Sequence, residues 1–204
     1  FAVYPLATQA VGARAIVVPA KEFGHDLDAM AAAIAPDTKL VFVANPNNPT
    51  GTFIEGDKIA AFLKKVPANV VVVLDEAYTE YLQPAQRYDS LTWVRQYPNL
   101  IVSRTFSKAY GLAGLRVGFG IAQPALTDLL NRIRQPFNVN SLAQAAAVAA
   151  LEGPQDFLAD WRERFRARRD LCVAAINAVA GLSTPVPDGA FYCMVDAAPL
   201  QARF

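Results

Sequence analysis

Histidine and cysteine are nearly missing: the 204 residues contain one histidine, His25, and two cysteines, Cys172 and Cys193. A single histidine leaves no material for a His-rich metal centre and argues against a Ser-His-Asp triad. Two cysteines make neither a disulfide framework nor a metal site, and they fit a reducing cytoplasm. A charge excess is lacking too. Lys and Arg number 19 and Asp and Glu 18, a formal net charge of +1, without the basic surplus of a nucleic-acid-binding protein. No apolar run reaches the roughly 18–20 residues needed to cross a membrane. The Ala-rich stretch 142–151 is too short for that, and no signal peptide is visible. There is no Gly-Lys-Ser/Thr P-loop, and Gln123 stands where Gly118 and Gly120 would need a third glycine for a dinucleotide fingerprint.

Hydrophobic residues make up 53% and charged residues 18%, enough apolar material to bury a core. Strands are expected at 15–18, 40–44, 70–74, 100–103, 117–121 and 190–195, where short apolar or β-branched runs end in turn residues. Helices are expected at 27–34 behind Asp26, at 55–65, 91–97 and 124–132, at 142–151 as a buried Ala-rich segment, and at 156–178. Strands and helices alternate through residue 151, which predicts an α/β domain with a mostly parallel sheet flanked by helices. After Gly153 the rhythm changes. A large domain is expected over 1–153 and the start of a smaller α+β domain over 154–204. The first residue is Phe1 rather than Met, and the last, Phe204, follows soon after an apparent strand. The chain therefore reads as a fragment lacking both ends.

In open α/β sheets ligands gather at the carboxyl ends of the strands. Four features fall there: the loop Asn45-Pro46-Asn47-Asn48-Pro49-Thr50-Gly51, Asp75 with Tyr78, the loop around Lys108, and Arg116. Lys108 follows the hydroxyls of Thr105 and Ser107 in a Gly/Ala-rich loop, and Arg116 comes shortly after. Hydroxyls, loop N–H groups and a guanidinium make an anion site, and a lysine beside one can form a Schiff base with a carbonyl. A surface lysine in a flexible loop is the competing reading. Glu76 follows Asp75, but adjacent residues of a strand face opposite ways, so the two carboxylates do not form an acid/base pair. The arginines of 162–169 read as a solvated helical face.

The segment 105–114 resembles the lysine-attachment signature of class II pyridoxal-phosphate aminotransferases, of fold type I. The longer run 103–118, and Gln135 to Asn140, are similar to the histidinol-phosphate branch of that family. Asn45 to Gly51 resembles the family's Asn-Pro-Thr-Gly loop, and Asp75-Glu76-Ala77-Tyr78 its Asp-Glu-x-Tyr element. The resemblance implies a fold-type I transferase with pyridoxal 5'-phosphate as cofactor. It implies that Lys108 carries the cofactor and moves the substrate proton, and that Asp75 pairs with the pyridinium nitrogen. Tyr78 and Asn48 would meet the phenolic oxygen, Thr105, Ser107 and Arg116 the phosphate, and Phe1 would stack on the ring. The implied reaction passes an amino group from L-histidinol phosphate to 2-oxoglutarate, giving imidazole acetol phosphate and L-glutamate. Its partners would be a small amino donor, a 2-oxo acid and a second subunit of a cytoplasmic homodimer, with no metal, nucleic acid or membrane.

One segment departs from the branch. Gly189-Ala190-Phe191-Tyr192 lacks the Asn that histidinol-phosphate enzymes carry before an aromatic, and is closer to aspartate- or aromatic-type aminotransferases. Those donors are the rival reading within the fold. A sensor domain of a transcription regulator is the rival outside enzymology. An arginine for a substrate carboxylate is not recognisable, and Arg203 does not substitute for one.

Overall fold

Three β-branched runs form the centre of the sheet, because each places apolar side chains on the face that helices cover. The computed structural model describes residues 1–201, so Arg203 lies outside the described residues. Strands β1 (Leu40–Ala44), β2 (Val71–Asp75) and β3 (Leu100–Thr105) pair in parallel, and β4 (Gly118–Ile121) runs antiparallel to β3, in the order β1-β2-β3-β4. The register sets Ala44 beside Asp75 and Asp75 beside Ser103. The carboxyl ends of the three parallel strands therefore lie side by side.

Side-chain caps mark the starts of three helices, at Asp26, Asp89 and Asn140. Helix α1 is Val3–Ala10, and α2 (Leu27–Ala32) starts at Asp26, which accepts the N–H of Ala29 at 3.0 Å. Such a cap stabilises by about 1 kcal/mol. Helix α3 (Gly56–Lys65) buries Ile59, Phe62 and Leu63, spaced to share one face, and carries Lys64 and Lys65 in its last turn, where the dipole favours cations. Helix α4 (Ser90–Gln96) adds Val94, α5 (Pro124–Ile133) starts on proline, and α6 (Ser141–Glu152) is capped by Asn140. Helix α7 (Asp156–Asn177) is the longest, and α8 (Ala198–Gln201) the last. The main core joins Val43, Val72, Leu74, Leu100 and Val102 of the sheet to α3 and Val94. Phe165 of α7 packs edge-on to Tyr81 at 5.1 Å.

Several expectations need correction. Residues 15–18 form no strand: Ile16 and Val17 are exposed, and no neighbouring strand supplies the ladder that an extended run requires. Residues 190–195 form none either. Ala190 has φ of 63°, which breaks an extended ladder, and the segment is anchored by a single bridge, Ser183 to Asp196. Strand β2 is buried alternately, at Val72 and Leu74, because α3 and α4 cover one side. Helix α6 is not a buried helix. Only Ala143 is fully buried, with Ala147 and Ala150 following at helical spacing on the Phe106 and Val117 cluster, while Leu142, Val148 and Leu151 face outward. Helix α1 was legible to no periodicity rule.

Candidate active site

Strand β1 delivers Asn45, fully buried, whose side chain staples the following loop. Its Nδ2 donates to the carbonyl of Ile54 at 2.9 Å and to Tyr88 Oη at 3.0 Å, and its Oδ1 accepts the N–H of Ile54 at 2.8 Å. Within the loop, Asn47 Nδ2 donates to Thr50 Oγ1 at 2.8 Å. That internal bond occupies Asn47 and leaves Asn48 to face the cavity. Gly51 has φ of 69°, and a Cβ there would sit 2.5 Å from Pro187 Cβ and 2.9 Å from the carbonyl of Gly189. Only glycine fits so close an approach in the left-handed region. Gly189 N–H in turn donates to the carbonyl of Gly51 at 2.9 Å.

Strand β2 ends on Asp75. Its Oδ1 accepts the N–H of Ala77 at 3.2 Å, and its Oδ2 accepts the phenol of Tyr4 at 2.7 Å. Glu76 turns the other way into the protein, as the strand alternation requires, and accepts from Ser90 Oγ at 3.0 Å and Arg104 Nε at 2.9 Å. Burial pushes the Glu76 carboxyl up, and Arg104 opposes that shift. Glu80, one turn on, is raised to about 7, chiefly by burial.

Tyr78 sits in a hydroxyl cluster. Its Oη is 2.7 Å from Tyr192 Oη, and Asn48 Nδ2 donates to both, at 3.0 Å and 3.1 Å. Burial first, then the Tyr192 bond, raise Tyr78 well above the ordinary tyrosine range, so it remains a phenol. Strand β3 ends on Thr105, whose Oγ1 accepts the N–H of Ser107 at 3.1 Å. Lys108 follows, with Nζ 5.8 Å from the Tyr78 ring centre and 5.6 Å from that of Phe191. Arg116 has φ of 53° and donates from Nη1 to the carbonyl of Ala113 at 2.7 Å.

These elements enclose a cavity of about 330 Å³. Phe1, Asn48, Asp75, Tyr78, Thr105, Ser107, Lys108 and Arg116 all line it, so residues spread over the length of the sheet converge on one space. Among the described residues neither Lys108 nor Arg116 has a carboxylate partner, whereas Arg104, also at the wall, is spent on Glu76. The cavity thus combines two uncommitted cations and the hydroxyls of Ser103, Thr105, Ser107 and two tyrosines with one carboxylate, a donor set suited to an anion that also carries a basic nitrogen. Sequence reasoning missed Tyr4, although an aromatic one turn after Phe1 was a usable signal. It marked Phe191 and Tyr192 only as a departure, not as neighbours of Lys108 and Tyr78.

Comparison with known proteins gives three concordant findings. The model of the family described as aminotransferase class I and II matches residues 1–203. Histidinol-phosphate aminotransferase 2 of Ralstonia nicotianae is 79% identical over 151 residues, covering 74% of this chain and 40% of that protein. Histidinol-phosphate aminotransferase 1 of Cupriavidus pinatubonensis is 66% identical over 191 residues, covering 94% of this chain and 50% of that protein. The chain thus spans about half the length of the curated relatives it matches or somewhat less. Among solved structures, histidinol-phosphate aminotransferase from Sinorhizobium meliloti in complex with pyridoxal-5'-phosphate superposes with a TM-score of 0.84 at 32% identity, over 93% of this chain and 51% of that one. Aspartate aminotransferase from Rhizobium meliloti gives 0.89 at 26% identity, over 98% of this chain and 52% of that one.

Proposed function

The chain belongs to the class I and II aminotransferases, and from that premise we propose that its protein is a pyridoxal-phosphate-dependent transaminase acting on L-histidinol phosphate, with 2-oxoglutarate as acceptor. The observation that carries the reading is the convergence of Lys108, Asp75, Tyr78, Asn48, Thr105, Ser107, Arg116 and Phe1 on one cavity. The donor set fits the cofactor group by group. The Lys108 amine suits its carbonyl, Arg116 with Thr105 and Ser107 its phosphate, Asp75 its ring nitrogen, Tyr78 and Asn48 its ring oxygen, and Phe1 its ring face.

When bound, the cofactor supplies the electron-withdrawing ring that makes a Cα–H bond of the amino donor breakable. The protein does the rest. Asp75, fixed by two donors, would stabilise positive charge at the ring nitrogen. Tyr78 keeps its proton and donates it as a hydrogen bond. The Lys108 amine would take the proton from the donor's Cα as general base and deliver it as general acid to the cofactor carbon that receives the amino group. Arg116 and the hydroxyls anchor a dianion, which holds the reacting carbon in reach of Lys108.

The preference for histidinol phosphate is supported by the relatives at 66% and 79% identity, both histidinol-phosphate aminotransferases. An aromatic donor is the second reading, favoured by Phe191, whose ring lies 5.6 Å from Lys108 Nζ where that branch carries Asn. A half-reaction titration distinguishes them. The bound cofactor's visible band should be lost fastest with histidinol phosphate. A tenfold faster loss with phenylalanine, tyrosine or aspartate, about 1.4 kcal/mol, would reject that donor and leave the transaminase reading standing. No helix of the described residues is long and apolar enough to cross a membrane; a cytoplasmic location is part of the proposal. A homodimer, and a smaller domain beginning at residue 154, complete the proposal.

A further inference from the structure

Asp75 is fixed by two donors that differ in kind. The Ala77 N–H on Oδ1 is local, two residues along the chain, whereas the Tyr4 phenol on Oδ2 reaches across 71 residues at 2.7 Å. Tyr4 is itself held in place. Its ring stacks on Phe42 of β1 with centres 4.5 Å apart and planes 9° from parallel, Phe1 meets it edge-on at 5.5 Å, and its carbonyl accepts Thr8 Oγ1 at 2.8 Å. Both Tyr4 and Asp75 line the cavity. Facing a carboxylate, a phenol donates. Burial and the neighbouring Asp75 push its ionisation far above the ordinary tyrosine range, which preserves it as a donor.

We propose that Tyr4 is a positioning residue for Asp75: its hydrogen bond fixes the carboxylate's orientation, so that the carboxylate is aimed at an aromatic nitrogen of the ligand in the cavity. Without that bond the Asp75 carboxylate keeps only the local Ala77 N–H and is free to rotate, and its contact with the nitrogen weakens. The inference rests on the transaminase reading, in which the nitrogen belongs to the cofactor ring.

The Tyr4→Phe variant retains the ring and its stacking on Phe42 and deletes only the hydroxyl. Full-length apo-protein, wild type and variant, is titrated with pyridoxal phosphate and with its 1-deaza analogue, in which carbon replaces the ring nitrogen. The variant should bind pyridoxal phosphate about tenfold more weakly, some ~1.4 kcal/mol, and the deaza analogue with unchanged affinity. An equal loss for both ligands identifies a merely structural contribution and overturns the proposal, as does no loss for either. In the Asp75→Asn background, adding Tyr4→Phe should cost nothing further; a full additional loss also overturns it. Wild-type protein that binds neither ligand would remove the transaminase reading itself, whereas tight wild-type binding without a nitrogen-dependent difference removes only the role of Tyr4.

Discussion

Tyr192 Oη lies 2.7 Å from Tyr78 Oη, a contact made across 114 residues, with Asn48 Nδ2 donating to both. A phenol supplied by the segment after α7 thereby sets the direction in which Tyr78 can donate. Tyr192→Phe should keep the aromatic packing and remove two neutral hydrogen bonds, each worth about 0.5–1.5 kcal/mol. The expected result is a two- to tenfold fall in kcat/KM with an unchanged near-ultraviolet circular dichroism spectrum. Unaltered kinetics would mean that Tyr78 needs only Asn48.

Lys108 is the amine of the cavity, and replacing it tests the covalent chemistry directly. Borohydride treatment of the cofactor-loaded protein should fix a label on the peptide containing Lys108. Lys108→Ala should abolish that label and turnover together. A label still found on the same peptide in the variant would put the reactive amine elsewhere.

Glu80 links stability to pH. Its carboxyl rises from 4.5 to about 7 in the folded protein, mainly through burial. The folded state therefore holds this proton more tightly than the unfolded chain does, and stability falls as pH climbs from about 4.5 through about 7. The full effect is up to about 3 kcal/mol. Urea unfolding at pH 5 and pH 8 should show Glu80→Gln flattening this dependence and stabilising the protein at pH 8. A variant that unfolds with the wild-type pH dependence would show that the carboxyl is better solvated than its burial implies.

Local chemistry explains which parts of the molecule could be read from the chain. Strands β1 to β3, and helices α3 and α7, follow from β-branched runs and from apolar spacing, which act within a few residues. The site was legible for the same reason: Asn48, Asp75, Lys108 and Arg116 each end or follow a strand, and the parallel register gathers strand ends. What escaped was tertiary. Residues 15–18 and 190–195 have strand composition, but no neighbour accepts their hydrogen bonds. Tyr4 and Tyr192 owe their place to partners 71 and 114 residues away, separations no local pattern encodes. Helix α6 looked buried because alanine is apolar on every side, and composition cannot tell which of its faces meets the sheet.

The close approach at Gly51 has a practical corollary for anyone reshaping the cavity. Backbone bonded to backbone at Gly51 and Gly189, with Pro187 pressed against the space a side chain would need, makes the turn carrying Asn48 and the arm carrying Phe191 and Tyr192 a single mechanical part. Diversifying either one alone shifts the other. A library aimed at new donors is better built by holding positions 51, 187 and 189 constant and varying 191 beside Lys108 together with its packing partners Tyr81 and Phe165.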